Sequence, residues 1–281
     1  MLINATQLAP HLNDPAWVIF DCRHDLVDLD RGSRLYGEGH LPGAHFAAVD
    51  EALSGAKTGR NGRHPLPAPA DFGAFLSRHG VTPESHVVAY DDAGGLYAAR
   101  LWWMAKWIGL KNVYLLDGGL PRWVAEGRPV TTAVPPARPA ATLVAKADAS
   151  LVRDTAAVLS RLEDPAIVIL DARAVERYRG EKEPMDPVAG HIPGALNRFY
   201  KANLKEDLTF RPPAELRREF TIVLGGRTPQ NVTHQCGSGI TACANLFAME
   251  YAGLPGSKLY PGSWSEWVAD RSRPVARGPL V

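Results

Sequence analysis

At 281 residues, the chain is about twice the size of a typical domain, so two separate cores are expected. Hydrophobic residues make up 46% and charged residues 22%, a globular balance, and the net charge of +1 is scattered in both signs, which excludes the basic face that nucleic-acid binding needs. The three cysteines, Cys22, Cys236 and Cys243, form no C-x-x-C pair, which speaks against a disulfide framework and a thiolate zinc site.

The N-terminus, from Met1 to Thr6, has no basic region leading an apolar core, and no apolar run approaches membrane-spanning length. A cytoplasmic protein in a reducing compartment, without membrane contact, is expected. Short β-branched runs at Trp17–Asp21, His86–Tyr90 and Val113–Leu116 alternate with helical segments. This is the pattern of parallel strands with covering helices. Over 96–108 a helix is predicted, with Tyr97, Leu101, Met104 and Ile108 on one face and Trp102, Trp103 and Trp107 widening it for core or domain-interface packing rather than a binding box. Residues 131–147 carry Pro135, Pro136 and Pro139 and read as an extended connecting segment.

Beyond that segment the pattern starts again. Val18-Ile19-Phe20-Asp21-Cys22-Arg23 is echoed by Val168-Ile169-Leu170-Asp171-Ala172-Arg173, and Gly39-His40-Leu41-Pro42-Gly43-Ala44 by Gly190-His191-Ile192-Pro193-Gly194-Ala195. Leu116-Asp117-Gly118-Gly119 leading to Trp123 answers Tyr260-Pro261-Gly262-Ser263 leading to Trp267. The chain is a tandem duplication, divided as 1–130, a linker at 131–147, and 148–281.

The duplication provides an internal control. Residues that serve the fold recur in both copies, as Asp21 with Arg23, Asp171 with Arg173, His40 and His191 do. Residues that serve chemistry need appear only once. Near the end of the second copy, a strand with its turn residues over 222–235 precedes Cys236-Gly237-Ser238-Gly239-Ile240-Thr241-Ala242, and an apolar helix follows over 241–251. The first-copy counterpart of Cys236 is Asp91, and that of Arg177 is Val27. Cys236 therefore marks a catalytic second half, supported by a non-catalytic first half. Successive amides in a glycine-rich loop at a helix start favour a thiolate, or a persulfide on the same atom. Two glycines in the loop argue against an inert core thiol, whereas Cys22 and Cys243 read as buried.

These residues resemble tandem-domain sulfurtransferases of the rhodanese family over essentially the whole chain. The resemblance implies two rhodanese-like α/β domains, each a mainly parallel sheet covered by helices on both faces. Within that family the loop is similar to those of 3-mercaptopyruvate sulfurtransferases. Thiosulfate enzymes carry two basic residues after the cysteine, and Gly237 and Ser238 supply none. The resemblance further implies that Cys236 is the nucleophile that carries the persulfide and that Arg177 binds the donor carboxylate, a task suited to a guanidinium fork. Ser238, His64 and Asp50 correspond to a proton relay. Gly237, Gly239, Ile240 and Thr241 line the loop that holds the anions. No cofactor or metal is implied. The donor would be 3-mercaptopyruvate or thiosulfate, and the acceptor cyanide or a thiol such as thioredoxin.

One position departs from the family pattern. Glu183-Pro184-Met185-Asp186 has methionine where a second arginine is usual, with Arg179 or Lys182 available to compensate. A cysteine phosphatase would need arginine where Ala242 stands and is excluded. A thiosulfate enzyme, or a carrier loaded by a partner protein, are the remaining readings.

Overall fold

The computed structural model describes residues 1–279. The chain forms two compact units, each built around its own parallel sheet. One comprises Met1–Gly55, Pro67–Asp148 and Leu204–Phe210; the other comprises Ala56–Leu66, Ala149–Asn203 and the chain from Arg211 on. The units are thus not the contiguous halves of the sequence repeat: residues 56–66 join the second, and 204–210 the first.

The first unit runs β1 (Leu2–Ile3), α1 (Ala5–Leu8), β2 (Trp17–Asp21), α2 (Arg31–Glu38), β3 (Ala44–Phe46), α3 (Pro69–Arg78), β4 (His86–Tyr90), α4 (Ala98–Trp107), β5 (Val113–Leu116) and α5 (Gly119–Ala125). Its sheet has the order β1-β5-β4-β2-β3, with every pairing parallel. β2 and β4 are buried at all but their first residue, as strands covered on both faces must be. Trp102, Trp103 and Trp107 are buried, which supports their reading as core. Residues 132–147 form no helix or strand. They are tied along this unit by Ala141 N–H to Ser77 O and Lys146 N–H to Ile108 O, because proline cannot supply a continuous ladder.

The second unit runs α6 (Thr155–Leu159), β6 (Val168–Asp171), α7 (Val175–Arg179), β7 (Leu196–Asn197), α8 (Pro213–Leu224), β8 (Val232–Gln235), α9 (Ala242–Tyr251), β9 (Lys258–Leu259) and α10 (Ser263–Trp267). The sheet order is β7-β6-β8-β9, again all parallel. The strand expected over 222–235 is shorter than its apolar run suggested. Residues 222–224 end α8, which Gly225 closes in the left-handed conformation at φ 55°. Only Val232–Gln235 enters the sheet.

The repeated motifs are repeated structures. Arg23 and Arg173 each grip the aspartate two residues earlier at 2.6 Å and donate to a glycine carbonyl, Gly39 at 2.7 Å and Gly190 at 2.8 Å. His40 and His191 each stack on a tyrosine, Tyr36 and Tyr178, with ring centroids 3.9 Å apart, and each Nδ1 bonds that tyrosine's carbonyl at 2.8 Å. Both histidines are structural.

Candidate active site

Parallel strands end together, so loops beyond their carboxyl ends gather the chemistry of an open α/β sheet. In the second unit, Asp171 of β6 pairs in register with Gln235 of β8, and the chain then leaves the sheet at Cys236. Three hydrogen bonds fix the start of the loop. Cys236 N–H donates to Ser263 Oγ at 3.1 Å, Trp264 N–H to Cys236 O at 3.0 Å, and Ser265 N–H to Gly237 O at 2.9 Å.

The sulfur accepts the N–H of Gly239 at 3.2 Å. That bond requires Gly239 at φ +81°, and a Cβ there would lie 2.3 Å from Pro261 O, so only glycine fits. The amides of Ser238, Ile240 and Thr241 meet no acceptor among the described residues. Ile240 is buried, and the carbonyls of Ile240 and Thr241 accept from Cys243 and Ala244 as α9 begins. Cys236 is 1% exposed, more enclosed than a loop at the end of a sheet suggests. Its surroundings are polar nonetheless: they include the Gly239 amide and the buried Arg173 guanidinium, which the sulfur helps to hold in its charged form. Cys22 and Cys243 are buried, Cys243 Sγ donating to Gly239 O at 3.4 Å.

Ser238 Oγ lies 2.8 Å from His64 Nδ1, and both residues are buried. His64 reaches the loop because 56–66 belongs to this unit, where Arg63 N–H donates to Ser265 Oγ at 3.0 Å. Asp50, the third expected member, belongs to the first unit, where its carboxylate stands 3.7 Å from His24 Nε2.

Arg177, from the short helix α7, is anchored by carboxylates. Its Nε and Nη2 donate to Glu183 at 3.1 and 2.7 Å, and Nη2 also to Asp186 at 3.2 Å. Glu183 is shared with Arg173 at 3.3 Å. Asp186 also pairs with Arg63. Burial pushes the Asp186 carboxyl above its ordinary range, with Glu183 adding to the rise and Arg63 and Arg177 opposing it. Arg179 does not join this group. Residues two apart on a helix face different ways, and Arg179 instead pairs with Glu181 at 3.8 Å and lines a separate depression with Ile222 and Val223.

Arg63 and Asp186 were missed as site residues by sequence reasoning. Arg63 meets Asp186 across a separation of 123 residues, and the only local signal was its place next to His64.

A tandem α/β protein with a cysteine-bearing loop beyond the carboxyl end of an interior strand is the class that fold and site define. The rhodanese-like domain model matches twice, over residues 4–126 and 154–270. A Pseudomonas aeruginosa protein named "Probable 3-mercaptopyruvate sulfurtransferase" is 47% identical over 99% of this chain and 98% of its own length. The thiosulfate sulfurtransferase of Rattus norvegicus is 36% identical over 86% of this chain and 81% of its own. Among solved structures, the 3-mercaptopyruvate sulfurtransferase of Leishmania major superposes with a TM-score of 0.84 at 31% identity, covering 95% of this chain and 74% of that one. The chain belongs to the rhodanese family and, within it, to the tandem-domain sulfurtransferases.

Proposed function

We propose that the enzyme moves the sulfur of 3-mercaptopyruvate through a persulfide on Cys236 to a thiol or cyanide. The thiolate attacks the donor sulfur, forming an S–S bond as the donor's C–S bond breaks. Pyruvate leaves as its enolate and takes up a proton. An acceptor thiolate then attacks the outer sulfur and returns Cys236 to its thiolate form.

The bond between Ser238 Oγ and His64 Nδ1 at 2.8 Å carries the choice of donor. An enolate leaving group needs a proton at its carbon, and a hydroxyl paired with an imidazole can pass one. Sulfite, the leaving group from thiosulfate, needs none. The relay in this reading is Ser238 and His64, with Asp50 as its third member, and Arg177 receives the donor carboxylate. The Gly239 amide holds the thiolate, and the amides of Ser238, Ile240 and Thr241 are the donors for the outer sulfur. The Asp91 loop of the first unit has no nucleophile, so the second domain is the catalytic one.

The acceptor in this reading is a small thiol or a thioredoxin-like protein in the cytoplasm. Support comes from three reduced cysteines and from the described residues containing no helix long and apolar enough to cross a membrane.

Intact-mass measurement after brief exposure to each donor tests the assignment. 3-Mercaptopyruvate should add one sulfur to the peptide containing Cys236, faster than thiosulfate does. Cys236→Ala should take up none and lose sulfur transfer by at least ~10⁴-fold. Loading of the alanine variant would reject the mechanism, and preferential loading by thiosulfate would reject the donor.

A further inference from the structure

We propose that the proline-rich segment over 131–147 is one wall of a binding site for an apolar molecule with a single anionic group, of the class of a medium-chain carboxylate, and that Arg138 takes the charge. The site lies wholly within the first unit and does not depend on the chemistry at Cys236.

The segment is fastened to its unit at intervals. His40 and Thr131 exchange backbone hydrogen bonds of 2.9 Å each, Arg138 reaches in from the middle, and Ala141 N–H donates to Ser77 O at 2.9 Å. Between these fastenings it borders a cavity of about 970 Å³, lined also by Leu12, Pro15 and Pro42. That volume is at the upper end of small-molecule sites. The lining residues from 129–141 are proline, alanine and valine, apart from Thr131 and Arg138. Proline keeps such a wall stiff. Val130 and Val134 on it are 49% and 79% exposed, apolar surface that a ligand would take out of water.

Arg138 is the one charged side chain of the lining among the described residues. Its Nη1 donates to Pro15 O at 2.8 Å and its Nη2 to Trp17 O at 2.9 Å, so two neutral carbonyls fix it at the start of β2. Gly80 makes the room: it adopts φ +76°, and a Cβ there would lie 2.9 Å from Arg138 Cβ. Two hydrogen bonds leave three of the five donors of a guanidinium unused. Burial pushes the group below its ordinary range, and the field of Asp14 offsets this only in part.

A half-buried cation held by carbonyls, with no carboxylate paired to it among the described residues, favours an anion. The wall around it favours one with a hydrocarbon body. A small inorganic anion would leave that wall wet, and a neutral hydrocarbon would bury the cation unpaired.

The test is calorimetric titration of the full chain with octanoate, octanol and acetate, which separate the charge from the hydrocarbon. Octanoate should bind once per chain with a Kd below about 1 mM, and octanol and acetate at least about 10-fold more weakly, the worth of a charge-assisted bond. Bound octanoate should slow amide hydrogen exchange over 131–141. Arg138→Met, which removes the charge, should weaken octanoate binding about 10-fold to 100-fold and leave octanol within about twofold, with sulfur transfer unchanged as proof of folding. Arg138→Lys keeps the charge without the fork and should stay within about fivefold of the wild type for octanoate. Absence of saturable octanoate binding, equal affinity for octanol or acetate, equal losses in the two variants, or binding that leaves exchange over 131–141 unchanged would each overturn the proposal.

Discussion

The loops that follow β4 and β8 are the same device put to two uses. In the first unit Asp91 occupies its own cradle: one carboxylate oxygen accepts from Ala93 and Gly95 at 2.9 Å each, the other from Tyr97 at 2.7 Å and Ala98 at 2.9 Å. In the second unit the residue at that place is Cys236. Its sulfur takes one amide, and the N–H groups of Ser238 and Ile240, which match Ala93 and Gly95 in position, meet no acceptor among the described residues. The anion hole is the same feature of the loop in both domains. A built-in carboxylate fills it in one, and in the proposed reaction the donor's sulfur fills it in the other. The strands leading in differ in the same sense. β4 is apolar from Val87 to Ala89, whereas β8 buries Thr233, His234 and Gln235, whose side-chain polar atoms lack partners among the described residues.

The largest effect expected from breaking this contrast lies in the first unit. Asp91→Ala would leave four amides, three of them in buried bonds, without an acceptor and should destabilise the protein by about 3 kcal/mol or more, read as a lower urea midpoint; Cys236→Ala should cost no more than about 1 kcal/mol. Equal costs would mean that the two loops are held in the same way.

The next effect concerns β8. Burial lowers the His234 pKa to about 3. The unfolded chain, with an ordinary value near 6.5, binds a proton first as the pH falls. Stability from this group is therefore complete above about pH 6.5 and declines down to about pH 3. Between pH 7 and pH 4.5 the loss should be about 2.5 kcal/mol, and His234→Gln should remove that slope. An unchanged slope would show that His234 is hydrated in the fold.

The smallest effect sharpens the relay. Ser238→Ala should slow 3-mercaptopyruvate turnover about 10-fold to 100-fold, in the range of general acid-base contributions, and change thiosulfate turnover by less than about threefold. Equal slowing with the two donors would remove the proton role and leave Ser238 as part of the loop.

Much of this architecture was legible in the chain because duplication let the sequence act as its own control. Asp21 with Arg23 and Asp171 with Arg173 recur because each arginine ties a strand end to a glycine carbonyl, and Cys236 stood out because Asp91 replaces it. The strands at 17–21, 86–90 and 113–116 were readable from β-branched runs bounded by turns. The run at 222–235 was not, because apolar residues at the end of a helix look like the start of a strand until Gly225 is seen to close the helix. Arg179 was misplaced because the register of so short a helix as α7, which turns it away from Arg177, leaves no periodic trace. Arg63 was invisible for a different reason: its role depends on which unit residues 56–66 fold with, a matter of tertiary contacts alone.

That allegiance bears on how the gene could be divided. Residues 56–66 are encoded inside the first repeat and fold with the second unit. A fragment cut at the repeat boundary would carry the cysteine and its glycine hole but neither the imidazole of His64 nor the guanidinium of Arg63. Residues 204–210 cross in the other direction, so a cut at the repeat boundary takes a segment from each unit.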